Sequence, residues 1–114
     1  MMDIGDIYLV EIPLSDGHEQ AGARPAVIVQ AQQFENQLPT VLIVPLTSQL
    51  MAQSFPGTLV IQPDLQNGLT MISVVLAFQL RAIDKRRLKR QIGQLGNSDL
   101  ALLHQRMKTL LQFT

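Results

Sequence analysis

A mainly β chain, folded as a small, strongly bent antiparallel barrel with a C-terminal helix, is the fold class this sequence predicts. Three observations carry that expectation. The first three-quarters hold short β-branched or apolar runs separated by turn chemistry. Several runs are apolar throughout instead of alternating, the pattern of strands covered on both faces. Helical spacing is confined to the C-terminal end. A chain of 114 residues supplies one modest core, so a single domain over residues 1–114 is expected.

In chain order, the first strand is Ile7–Ile12, closed by the turn residues Ser15-Asp16-Gly17. The second is Ala26–Val29 and the third Val41–Val44. Pro45 cannot donate to a ladder and is expected to end the third run, leaving Thr47 and Ser48 at the strand's exit. After Phe55-Pro56-Gly57 comes Thr58–Ile61, and after Gln66-Asn67-Gly68 comes Ile72–Ala82, read as one run. The strands thus fall within residues 5–95. Ser98 is the expected N-cap of a helix over about 98–112, with Asp99 at its first position. Leu100, Leu103, Met107, Leu110 and Leu111 form the stripe that packs this helix onto the sheet, with Met107 a core residue.

Charge is segregated along the chain. Arg24 is the sole Lys or Arg of residues 1–80, among seven acids, whereas residues 81–114 hold eight bases and two acids. The net charge of zero conceals a basic cluster of Arg81, Lys85, Arg86, Arg87, Lys89 and Arg90. Such a cluster marks either a local polyanion-facing surface or a solvated turn paired with the acidic half. The absence of cysteine excludes a disulfide framework and a thiolate metal site. His18 and His104 have no metal-ligand spacing, so neither metal nor cofactor is expected. No apolar run reaches the ~18 residues of a membrane span, and the N-terminus lacks a signal pattern, so the expectation is a cytoplasmic protein.

Arg24 stands at the mouth of the polar loop Glu19-Gln20-Ala21-Gly22-Ala23, just before an apolar strand. A strand-fixed guanidinium presents a fork of donors suited to phosphate or carboxylate. The alternative is an ion pair with Glu19 or Asp16 that ties the loop down. For Thr47, the alternative to a functional hydroxyl is one that satisfies a turn at the strand's end.

Gly5-Asp6-Ile7-Tyr8, then Gly17-His18-Glu19-Gln20-x-Gly22-x-Arg24-Pro25-Ala26-Val27-Ile28-Val29, then Val44-Pro45-Leu46-Thr47-Ser48 resemble the signature of the MazF/PemK toxin family. So do Phe55-Pro56, Ser73-Val74-Val75 and Gln79-x-Arg81-x-Ile83-Asp84-Lys85-x-Arg87-Leu88. The likeness runs from Gly5 to about Leu95, and its specific part is Glu-Gln-x-Gly-x-Arg-Pro. It implies an SH3-like barrel, a homodimer, and a sequence-specific, metal-independent endoribonuclease. Such enzymes are the toxins of type II toxin–antitoxin pairs, act on single-stranded RNA and are silenced by a cognate antitoxin. The resemblance places Arg24, Thr47 and Glu19 in catalysis, and His18, Gln20, Ser48, Gln79 and Arg81 in RNA binding.

RNA carries its own nucleophile, the 2′-hydroxyl, so a protein nucleophile is unnecessary. Attack on the adjacent phosphate gives a 2′,3′-cyclic phosphate and a 5′-hydroxyl end. The protein must align the atoms, stabilise charge on the phosphoryl oxygens and assist proton transfer. Glu19 and His18 are both candidate proton acceptors.

One departure stands out. Family members commonly carry an acid before the glutamine matched by Gln79, and the Kid/PemK branch an arginine two residues earlier; here those positions are Phe78 and Leu76. The roles of that acid and arginine therefore do not carry over. Phe78 reads as a buried strand residue, with stacking on a base as the alternative. Two other function classes compete: a CcdB-like inhibitor that binds a protein target such as gyrase, and an inactive or weakened binding module. The chain lacks the Trp-rich C-terminus expected of the first.

Overall fold

The structure, a computed structural model, describes residues 2–13, 17, 21–34 and 36–112. His18, Glu19 and Gln20 lie outside them, as does Asp16. The strands are β1 (Asp6–Ile12), β2 (Gly22–Ile28), β3 (Thr40–Thr47), β4 (Thr58–Ile61), β5 (Ser73–Leu76), β6 (Arg81–Asp84) and β7 (Leu88–Gln94), followed by helix α1 (Asn97–Leu111). All pair antiparallel in the order β4-β5-β3-β2-β1-β7, with β6 also against β3.

The sheet coils because its connections are short. β6 and β7 are the outer strands of the series β7-β1-β2-β3-β6, yet only the 3-10 turn Lys85–Arg87 separates them. Five flat strands would span ~19 Å at ~4.8 Å each. The four steps from Asp84 to Leu88 cover ~8 Å at the rise of a 3-10 helix. The two edges must therefore swing towards each other, and the near-equal extents of 35 × 33 × 31 Å agree.

Coiling gives two cores, one on each face. Val10, Ile12, Ala26, Ile28, Val41, Ile43 and Ile83, with Leu88 packed against them, draw on all five strands of the coil and fill it. Ile7, Val27, Val44 and Leu46 face the other way, against Leu59, Ile61, Val75 and Leu103 from β4, β5 and α1. Neighbours such as Val27 and Ile28 thus enter different cores, which is why these strands read as apolar runs.

Four expectations need correction. The run Ile72–Ala82 is broken into β5 and β6 by the 3-10 turn Ala77–Gln79, so Phe78 is no buried strand residue but 40 % exposed. Pro45 does not end β3, which continues to Thr47. The Val29 N–H donates to the Leu42 oxygen at 3.0 Å, which fixes the alternation: residue 45 directs its backbone bonds away from β2. On that side the ladder passes from Ile43↔Arg81 to Leu46↔Val75. The missing proline donor therefore falls where the turn interrupts the partner strand. The third correction is β7, which the composition of residues 88–94 did not suggest although it holds Lys89 and Arg90.

The fourth concerns α1. It starts at Asn97 with Gly96 as N-cap, one residue before the expected start, and no side chain caps it. Leu103 is fully buried and Leu100 and Met107 pack beside it, but Leu110 and Leu111 stay 38 and 46 % exposed.

Candidate active site

Arg24 and Thr47 come from strands that pair with each other. The β2–β3 register runs Ile28↔Ile43, Val27↔Val44, Ala26↔Pro45. Continued by two residues, it sets Arg24 opposite Thr47. On the other side of β3, Thr47 pairs with Val74 of β5. Three neighbouring strand ends thus frame one cleft of about 210 Å³, lined by Ala23, Arg24, Pro25, Leu46, Thr47, Ser48, Leu69, Thr70, Met71 and Ser73. Among the described residues, Arg24 is the one ionisable group in that lining.

The guanidinium is held by its inner nitrogen. Arg24 Nε donates to the Ala21 carbonyl at 3.0 Å, so the side chain closes the turn that leads into β2. Among the described residues no carboxylate forms an ion pair with it. The Asp16 and Glu19 alternatives lie outside the described residues.

Thr47 is 3 % exposed, and its Oγ1 accepts from the Gln49 N–H at 3.1 Å. The turn-satisfying role is therefore observed. Accepting that bond uses a lone pair and leaves the hydroxyl hydrogen available to donate.

Ser48 joins the cleft as an exposed residue, whereas Gln79 and Arg81 do not line it. Gln79 is the last residue of the 3-10 turn, and Arg81 pairs with Ile43 in the first half of β3. Sequence reasoning missed the second wall, Leu69, Thr70 and Met71. The neighbouring Asn67-Gly68 turn was its one signal, and nothing in it announces a cleft shared with Arg24. Among the described residues no three His, Cys, Asp or Glu side chains converge.

The basic cluster is partly consumed by internal pairs. Arg86 meets Asp84 at 2.9 Å and Lys89 meets Glu11 at 3.3 Å. The Arg86 hydrogen bonds, from its side chain and its backbone N–H, hold the Asp84 carboxyl down at about 2. Phe78 rests against Phe55, ring centres 5.5 Å apart and tilted by 57°.

Residues 3–111 match the family described as PemK-like, MazF-like toxin of type II toxin-antitoxin system. An Endoribonuclease MazF from Staphylococcus saprophyticus is 33 % identical over 100 residues, covering 88 % of this chain and 82 % of the relative. The crystal structure of MazF from Deinococcus radiodurans superposes with a TM-score of 0.83 at 26 % identity, covering 98 % of this chain and 97 % of that one. A mycobacterial endoribonuclease in complex with its cognate antitoxin shares the fold at a TM-score of 0.77 and 18 % identity, covering 100 % of this chain and 98 % of that one. A coiled β-sheet with a C-terminal helix, and a lone arginine set against a strand-end threonine, are thus the features of a chain that belongs to the MazF/PemK family of type II toxins.

Proposed function

We propose that this protein is a metal-independent endoribonuclease that cleaves single-stranded RNA at the Arg24–Thr47 cleft. The observation that carries this reading is electrostatic. A single arginine, with no carboxylate among the described residues of the lining, shares one small cleft with a strand-end threonine. Such a site suits an anion carried on a chain that can thread an open groove. The identity to a relative named as an endoribonuclease supports RNA as that chain.

Arg24 donates from its terminal nitrogens to the non-bridging oxygens of the scissile phosphate, where negative charge grows during attack. Thr47 adds a neutral donor through its hydroxyl hydrogen. The 2′-hydroxyl forms the new P–O bond, the 5′-oxygen leaves, and the products are a 2′,3′-cyclic phosphate and a 5′-hydroxyl. Glu19 or His18 of the adjoining loop takes the 2′-proton. Ser48 and the loop residue Gln20 contact the flanking nucleotides, with Gln79 and Arg81 further along the strand path. The active species is a homodimer in which two copies join their exposed apolar faces. A cognate antitoxin silences it, as complexes of fold relatives suggest.

Incubation of the purified protein with a long RNA in EDTA, with chemical mapping of the ends, tests this reading. Cuts bearing 2′,3′-cyclic phosphate and 5′-hydroxyl termini are expected. Activity lost in EDTA and restored by magnesium or manganese would overturn metal independence. Folded protein that cuts no RNA would leave the protein-binding class.

A further inference from the structure

We infer that the segment Leu69–Ser73 is the specificity wall of the cleft, with Met71 reading the base beside the scissile phosphate; the inference rests on the RNA-cleaving reading above. β3 lies between β2 and β5, so Arg24 enters the cleft from one flank and Leu69, Thr70, Met71 and Ser73 from the other. A phosphate held by Arg24 therefore leaves its nucleoside facing the second flank. Phosphate contacts position a strand and base contacts specify it, and the two walls divide along that line.

The wall is built rigidly. At one end Asn67, 1 % exposed, accepts at Oδ1 from the Asp64 and Leu69 N–H groups, both at 3.0 Å, and donates from Nδ2 to the Gln62 carbonyl at 2.8 Å. At the other end Ser73, 6 % exposed, donates from Oγ to the Met71 carbonyl at 2.9 Å. Leu69 anchors the middle by packing on the core. Between these fixed points Met71 stays 59 % exposed, in the cleft that Arg24 also lines. An exposed thioether on a clamped backbone is a poor core residue. It suits the face of a flat aromatic ligand, because sulfur is polarisable and its chain has few constraints. A nucleobase is such a ligand. Ser73 is then a positioning residue: its hydroxyl sets the Met71 backbone without reaching the reacting atoms.

An apolar wall discriminates by shape, and deleting one such side chain changes preference by ~10-fold or more. The test maps the cut sites of wild type, Met71→Ala, Met71→Gln and Ser73→Ala on one long RNA in EDTA, with thermal melts to confirm folding. Met71→Ala should lower the preference at one nucleotide position beside the cut by ~10-fold or more, with a smaller change in rate at the best site. Ser73→Ala should relax the same position, and Met71→Gln should alter which base is favoured there. A wild type that cuts while Met71→Ala keeps an identical motif overturns this inference alone. A wild type that cuts nothing overturns the endoribonuclease reading, and this inference with it.

Discussion

Arg24 lines the cleft and has one nitrogen engaged by the Ala21 carbonyl, so the side chain helps to build the site in which we propose that it acts. Lysine would keep the charge but lose both the planar fork and the inner bond. Arg24→Lys should therefore reduce the cleavage rate by ~10²-fold or more, the scale for removing a transition-state donor. Single-turnover kinetics would measure it, and near-normal activity in a folded variant would reduce Arg24 to a structural role. Thr47 calls for a different substitution series, because its Oγ1 also closes a turn on Gln49. Thr47→Ala should slow cleavage strongly and lower stability by about 1 kcal/mol, the worth of one hydrogen bond. Thr47→Ser keeps the oxygen and should restore both. If serine restored stability but not rate, the hydroxyl would be a turn residue only.

At the scale of elements, the strand pattern and the terminal helix were legible because apolar runs and turn residues report burial directly. What stayed hidden depended on contacts between distant segments. Pro45 continues a strand only because the turn Ala77–Gln79 sits where its missing donor would have pointed. β7 was masked by its composition: Lys89, Arg90 and Gln91 are exposed, and the strand is defined by pairing with β1. The cleft's second wall joins residues some forty-five positions from Arg24, a proximity that no local motif encodes. Gly93 shows the same dependence, since a Cβ there would lie 2.3 Å from the Asn67 carbonyl oxygen. Backbone this close cannot yield cheaply, so Gly93→Ala should cost about 2 kcal/mol or more in denaturant melts. The barrel-closing turn carries a pH signature. Arg86 holds the Asp84 carboxyl at about 2, below its ordinary 3.8. A depressed acid adds stability above its unfolded pKa and loses it as pH falls through the folded one. The contribution of this exposed, solvent-screened pair should therefore be constant from neutral pH to about pH 4 and vanish towards pH 2. NMR titration of the Asp84 carboxyl would check it, and an Arg86→Gln variant should return the midpoint to the ordinary range.

Over the whole molecule, the proposed dimer and the proposed RNA binding would draw on different side chains, apolar for the first and basic for the second. Met51, Phe55, Phe78 and Leu111 are 88, 57, 40 and 46 % exposed. Chain termini and turns rarely leave so much apolar area uncovered in a monomer, so sedimentation at micromolar concentration should give a dimer. The basic cluster makes the sharper prediction, because the structure separates its members. Arg86 and Lys89 are engaged with Asp84 and Glu11. Arg87 and Arg90 enter no ion pair among the described residues. If the cluster holds RNA phosphates, replacing Arg87 and Arg90 with glutamine should weaken binding to all single-stranded sequences alike. It should also flatten the log–log salt dependence by ~0.7 for each phosphate that is no longer neutralised. Arg86→Gln serves as the contrasting variant. It frees the Asp84 carboxylate beside the same surface, so it should weaken binding by repulsion as well as by removing one cation. The cut motif should not move in either variant, since these residues position the strand and do not read it. Fluorescent RNA titrations across a salt series would measure the slopes. A slope unchanged in the Arg87/Arg90 double variant would mean that the cluster closes the barrel and touches no RNA, which leaves phosphate binding to Arg24.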